Sequence, residues 1–181
     1  MTNIRRHFGV GQVCFLTHIT YNRLPILVEH FDLLWRALSQ TAVGRIQDVR
    51  LGGRTDSTSL PALRAWAILL EHLHMVIEYE DIDVSSFVKK FKLSFSERYR
   101  RRVGMKGGRV WQYRFWDRVM RDQDEFNNHL DYTHYNPVRH GLIDNPFRWR
   151  YSSAAAYLEQ GLYEPDWGVR EAPEFESEYG E

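Results

Sequence analysis

Hydrophobic and polar positions follow two periods along this chain, and the points where the period changes mark out its elements. Residues 11–21, GQVCFLTHITY, are rich in β-branched and aromatic side chains and predict a strand that YNRLP then breaks. In VEHFDLLWRALSQTA, Phe31, Leu34, Trp35 and Leu38 recur at helical spacing. A Gly/Ser/Thr loop, LGGRTDSTSLP (51–61), comes next. LRAWAILL and HLHMVIEY then read as two consecutive strands or one long bent one, with Glu71 near the junction. Phe87, Phe91 and Phe95 stand at i, i+4 and i+8 in DVSSFVKKFKLSFSERYRRR, an amphipathic helix whose other face holds Lys89, Lys90 and Lys92. VGMKGGR is a flexible link, and VWQYRFWDRVMR alternates as a strand. DQDEFNNHLDYTHYN reads as a helix opened by acids that suit its positive N-terminal end. Pro137 disfavours helical geometry before it, so this helix is expected to kink or stop there. FRWRYSSAAAYLEQG (147–161) predicts a turn and a short helix with Ser152 or Ser153 as N-cap and Gly161 at its end. The order β-α-β-β-α-β predicts an α+β fold, a ferredoxin-like sandwich with an antiparallel sheet and helices packed on it.

With 181 residues and 43% hydrophobic content, the chain has enough apolar surface for one core. We expect a single domain over 1–162 and an acidic C-terminal tail over 163–181. The zero net charge hides an asymmetry: between Lys89 and Arg121 twelve Lys or Arg face only Glu97 and Asp117, a local net of +10. From Glu164 onward seven acids face only Arg170. Clustered cations suit a polyanion, because phosphates release counterions on binding them, although a basic run is also what a solvated helix face looks like. Cys14 stands alone, which excludes an intrachain disulfide and a cysteine metal cluster and suits a reducing compartment. Neither an apolar leader nor a membrane-spanning run is evident, so the expectation is cytoplasmic with no membrane partner.

Candidate chemistry begins at His72 and His74. On a strand, residues i and i+2 share a face, so two imidazoles project side by side while Leu73 faces the other way; such a pair is half of a metal site, or a satisfied histidine pair. The complement lies in HLDYTHYNPVRHGLI (129–143), where Tyr132 and Asn136 are i, i+4 on one helix face. By themselves these two read equally as a core contact and a helix cap.

Taken together, EHLHMVI, WQYRFWDRVMR, DYTHYNPVRHGLI and RWRYSSAAAYLEQG, in this order and at these separations over roughly residues 10–162, resemble the REP-associated tyrosine transposases of the single-tyrosine His-hydrophobic-His superfamily. The resemblance implies a ferredoxin-like, metal-dependent single-stranded DNA endonuclease and strand transferase acting on palindromic hairpin DNA. Matched by position, His72 and His74 would be metal ligands, Asn136 a third, and Tyr132 the nucleophile. The family commonly has a proline two residues before the first histidine, where this chain has Leu70. Imidazole and carbonyl ligands with open positions suit Mn²⁺ or Mg²⁺. His134, two residues from Tyr132, falls on another helix face and is not assigned as its base.

Single-stranded or hairpin DNA is thus the expected partner. Lys89, Lys90, Lys92, Arg98, Arg101, Arg102, Arg109, Arg114 and Arg118 are candidates for its phosphates and Trp116 for stacking on a base, whereas Trp111, Tyr113 and Phe115 should alternate onto one face as core. The tyrosine mechanism stands beside a catalytically silent DNA-binding protein of the same fold and a nuclease using water. Monomer and homodimer both fit the spacing.

Overall fold

The computed structural model describes residues 11–41, 61–80, 82–175 and Tyr179; the loop read at 51–61 falls, apart from Pro61, outside them. Eight elements follow in order: β1 (Gln12–Ile19), α1 (Phe31–Thr41), β2 (Ala62–Ile68), β3 (His72–Tyr79), α2 (Val84–Val103), β4 (Trp116–Val119), α3 (Gln123–Arg139) and α4 (Ala154–Glu159). The strands form one antiparallel sheet in the order β2-β3-β1-β4. This is the α+β, ferredoxin-like arrangement that the element order predicts.

Alternation along the central strands divides the core into two layers. Cys14 and Leu16 of β1 and Leu73, Met75 and Ile77 of β3 face α1 and α2, where Leu34, Leu38, Phe87, Phe91 and Phe95 are buried. Val13, Phe15 and Val76 face the other way, onto Phe126, Leu130 and Tyr132 of α3 and Tyr157 of α4. The phenylalanine stripe of α2 is therefore core, and its lysine face looks outward on the side of the sheet away from Tyr132.

Two elements differ from the expectation. Of the alternating stretch 110–121 only Trp116–Val119 is a strand; Trp111 makes an isolated bridge to Thr20, and Tyr113 is 82% exposed rather than core. The backbone after Gly108 (φ 108°) runs past the end of β1 before it can pair, which removes the regular pleat that alternation presumes. Likewise α3 neither stops nor breaks before Pro137. The proline sits in its last turn, where the missing N–H forfeits a single bond, and the His140 N–H still reaches the Asn136 carbonyl at 3.0 Å.

Side chains tie the second layer together. Ser153 accepts the Trp66 N–H at 3.0 Å and donates to His134 Nε2 at 2.7 Å. His134 Nδ1 donates to the Tyr163 hydroxyl at 2.9 Å, which donates to Asp131 at 2.8 Å. This chain of hydrogen bonds pins the start of α4 to β2 and α3, and its members other than Asp131 are buried. Ser153→Ala should lower stability by about 1–3 kcal/mol, because it leaves buried partners unsatisfied. In a thermal melt that is a drop of roughly 2–10 °C for a chain of this size.

At the start of α3, Asp122 accepts the Glu125 N–H at 2.8 Å while Glu125 accepts the Arg121 N–H at 2.9 Å. Burial acts to raise the Glu125 carboxyl, but hydrogen bonds from Arg118 and Arg121 outweigh it and bring the group down from 4.5 to about 2. A carboxylate held below its unfolded pKa stabilises the fold fully above that pKa and loses the contribution as it protonates. Stability should fall as pH drops from about 4.5 towards 2, and Glu125→Gln should flatten that part of a pH-resolved denaturation series.

Candidate active site

Central strand β3 sets the position of the two histidines. It is paired on both edges, with His74 opposite Thr17 of β1 and Ala67 of β2, so its pleat cannot rotate without breaking two ladders. His72 and His74 emerge on the α3 side with ring centroids 5.0 Å apart, both fully enclosed. The bend before β3 is made at Leu70 and closed by the Leu69 N–H on the His72 carbonyl at 2.8 Å.

Each imidazole has one nitrogen taken by a neighbour. His72 Nδ1 lies 3.1 Å from the Glu71 carboxylate. His74 Nδ1 lies 2.9 Å from the Thr17 hydroxyl, which donates its own proton to the Tyr179 carbonyl at 2.7 Å and so accepts from the ring. Both contacts select the tautomer that carries its proton on Nδ1 and its lone pair on Nε2, the arrangement found behind metal-ligating histidines.

From α3, Asn136 brings its Oδ1 to 3.2 Å from His72 Nε2. With Nδ1 turned to Glu71, His72 Nε2 and Asn136 Oδ1 converge on one place, in position to ligate the same cation. Two imidazoles and an amide oxygen are a fitting set for a divalent ion with open positions. Among the described residues no group of three or more His, Cys, Asp or Glu side chains assembles as an alternative metal cage.

Tyr132 lies one helical turn before Asn136 on the same face. Its ring meets His74 edge-on at 5.3 Å, and its hydroxyl accepts a hydrogen bond of 2.6 Å from Arg139, two turns along α3. The guanidinium favours negative charge on that oxygen, as a nucleophilic phenol requires. Sequence reasoning missed Arg139, although its spacing of seven from Tyr132 is a legible signal. Tyr179 was also missed: its ring lies flat on Tyr132, centroids 3.5 Å apart and 8° from parallel, and nothing in the acidic tail marks it. Tyr132 is 1% exposed beneath it.

Candidate DNA contacts do not gather on one surface. Lys89, Lys90 and Arg101 are exposed on α2, and Arg114 is exposed before β4. Arg98 instead donates to Gln40 at 2.8 Å, Arg102 forks onto Asp32 at 2.7 and 2.8 Å, and Arg118 pairs with Glu125 at 2.6 Å. Trp116 packs against Phe15 and His129 on the catalytic side of the sheet, away from α2. Lys92 is half-buried, and Arg109 lies between the rings of Tyr21 and Tyr113.

Comparison with known proteins bears on this arrangement. A family model described as "Transposase IS200 like" matches residues 61–121, which include both histidines and most of the basic segment. The REP-associated tyrosine transposase of Escherichia coli (strain K12) is 27% identical over 170 residues, 92% of this chain and 91% of that protein. A relative from Haemophilus influenzae is 26% identical over 179 residues, 93% of this chain and 94% of its own length. Among solved structures, a REP-associated tyrosine transposase bound to a REP hairpin superposes with a TM-score of 0.71 at 27% identity, over 100% of this chain and 98% of that one.

If Glu71 orients a metal-ligating His72, Glu71→Ala should weaken Mn²⁺ binding about 10- to 100-fold. Titration followed by the EPR signal of free Mn²⁺ measures this without substrate, and an unchanged affinity would remove Glu71 from the site.

Proposed function

We propose that this chain, an enzyme of the tyrosine-transposase kind and a relative of the REP-associated tyrosine transposases, cleaves and rejoins single-stranded or hairpin DNA through a phosphotyrosine formed on Tyr132. The observation that carries this reading is the convergence of His72 and His74 from β3 with Asn136, Tyr132 and Arg139 from α3. One helix supplies the nucleophile and a polar ligand a turn apart, opposite a strand that supplies two oriented imidazoles.

The chemistry follows from those positions. The Tyr132 oxygen attacks phosphorus in line with the leaving group; the Tyr–O–P bond forms, the P–O3′ bond breaks, the phenol gives up its proton and the 3′ oxygen takes one. Arg139 holds the phenol oxygen and favours its charge as the proton leaves. A divalent metal, Mn²⁺ or Mg²⁺, held by His72, His74 and Asn136 would supply Lewis-acid stabilisation of the phosphoryl oxygens. Glu71 and Thr17 keep the imidazoles turned for that role. His134, bonded to Ser153 and Tyr163, is a structural residue and takes no part in the proton transfer. The 5′-phosphotyrosine conserves the energy of the cleaved ester, so a second strand's 3′-OH can displace Tyr132 without ATP.

No helix among the described residues is long and apolar enough to cross a membrane.

The test is a denaturing gel of the protein with end-labelled hairpin oligonucleotides, with Mn²⁺ or Mg²⁺ or with chelator. The wild type should give a metal-dependent covalent protein–DNA band, and Tyr132→Phe and His72→Ala should each lose it. Cleavage that survives Tyr132→Phe would establish a water nucleophile instead, and salt-sensitive binding with no adduct under either metal would establish a DNA-binding protein without this chemistry.

A further inference from the structure

On the face of the sheet opposite Tyr132, α2 and residues 108–115 line an open-sided cavity of about 530 Å³. That is within the range of small-molecule sites. Its wall is aromatic, with Trp111, Tyr113 and Phe115, and its charged residues are all cations: Lys89, Lys92 and Arg100 from α2 and Arg109 from the loop. No acid lines it.

Three features of this cavity are unexplained by folding alone. Tyr113 is the most exposed of the large hydrophobic side chains, yet it is held in place: the Arg109 guanidinium lies 3.8 Å from the centre of its ring and 4.9 Å from that of Tyr21 on the far side. A ring with one face on a guanidinium and the rest open to solvent is a fixed platform for a second flat group. The Lys92 amine lies 5.7 Å from the Trp111 ring centre and 5.6 Å from that of Phe115, and donates a long hydrogen bond of 3.4 Å to the Gln112 carbonyl. Burial pushes this group down from 10.5 to about 8, the condition of an ammonium short of anionic or aqueous partners. Finally, Trp111 Nε1 and both nitrogens of His18, whose ring lies 5.3 Å from Phe115, are buried with no hydrogen-bond partner among the described residues.

We infer that this cavity binds one unstacked nucleobase of the DNA strand, stacked on Tyr113 against the Trp111–Phe115 wall, with its phosphate on Lys89, Lys92 and Arg109. The inference rests on the single-strand reading proposed above and adds a subsite to it. Stacking plus nearby cations is the general means of holding an unpaired base. An unphosphorylated peptide or a neutral lipid would meet the apolar wall but leave the cations without phosphate. The path to the catalytic side is short. β4 is one edge of the sheet, and the residues at its start turn opposite ways: Phe115 lines the cavity, while Trp116 packs with Phe15 on the Tyr132 side. A strand rounding that edge touches both, so the captured base lies a fixed number of nucleotides from the cleaved phosphate and acts as a ruler.

The experiment is an abasic ladder: a set of single-stranded oligonucleotides, each lacking one base, titrated against the full wild-type chain and against Tyr113→Ala by fluorescence anisotropy. Tyr113 is a surface residue, so its loss should not unfold the chain. The wild type should lose affinity about 5- to 150-fold at one position, or two adjacent ones. Tyr113→Ala should show the same loss on the intact strand and no further loss at the sensitive position. Iodouracil placed there should photocrosslink to Tyr113 or Trp111. A wild type that forms the covalent adduct but gives a flat ladder overturns the cavity assignment and leaves the catalytic reading standing. A Tyr113→Ala loss that adds to every abasic loss overturns it equally. A deoxynucleoside monophosphate that saturably protects Tyr113 from iodination while the ladder stays flat would make the occupant a free nucleotide rather than a strand. A wild type that binds no single strand at all defeats both readings together.

Discussion

The double pairing of β3 is the constraint on which the rest of the site depends. A strand laddered on both edges cannot twist locally, so every second side chain is committed to one layer of the protein. Leu73, Met75 and Ile77 serve the core against α1 and α2, which leaves His72 and His74 fixed on the other face whatever their own preferences. Two imidazoles buried side by side then need partners, and the fold provides them from the shortest available distances: Glu71 one residue before, and Thr17 directly across the ladder. The site's electrostatics are therefore a consequence of strand register. A one-residue slip would put Leu73 at the candidate metal position and both histidines into the apolar layer.

Helix α3 completes the arrangement by a similar economy. Tyr132, Asn136 and Arg139 recur at intervals of four and three, so one helical stripe faces β3 with a phenol, an amide and a guanidinium. Extending the helix past Pro137 is what brings Arg139 onto that stripe. Had the helix ended before the proline, Arg139 would lack the two-turn relation to Tyr132 that lets it reach the phenol oxygen. The charged end caps at Asp122 and Glu125 hold the other end of the same helix, which links the geometry at Tyr132 to ion pairs a few turns away.

Period-based reading recovered much of what depends on local spacing, although it passed over Arg139. The histidine pair on one strand face, the i, i+4 relation of Tyr132 and Asn136 and the phenylalanine stripe of α2 were legible because a strand or helix enforces them without help from distant residues. Contacts set by tertiary approach were not. Arg98, Arg102 and Arg118 read as free cations in sequence, but their partners Gln40, Asp32 and Glu125 are chosen by how α1 and α3 lie against α2 and β4. Alternation in residues 110–121 predicted a long strand and a core position for Tyr113. Only four of those residues pair as β4, because the chain arrives from Gly108 across the end of β1. Tyr179 had no signal of its own, being one of three aromatics, with Trp167 and Phe175, set among acids.

One loop joins the two faces of the sheet. Residues 20–24 leave β1 with Asn22 and Arg23 in the left-handed region, φ 53° and 50°, an unfavourable backbone for side chains other than glycine. That strain is retained because both sides of the loop are held. Thr20 N–H bonds the Glu71 carbonyl at 2.8 Å and Arg23 reaches the Glu71 carboxylate at 3.4 Å, while the Tyr21 N–H bonds the Val110 carbonyl at 2.8 Å and its ring lies under Arg109. The same five residues thus touch the carboxylate that orients His72 and the guanidinium that supports Tyr113. A shift of the loop that displaced Tyr21 would alter the Arg23–Glu71 contact as well, because the two left-handed residues between them leave little slack. Through this connection the reverse-face cavity and the imidazole pair share one segment of backbone.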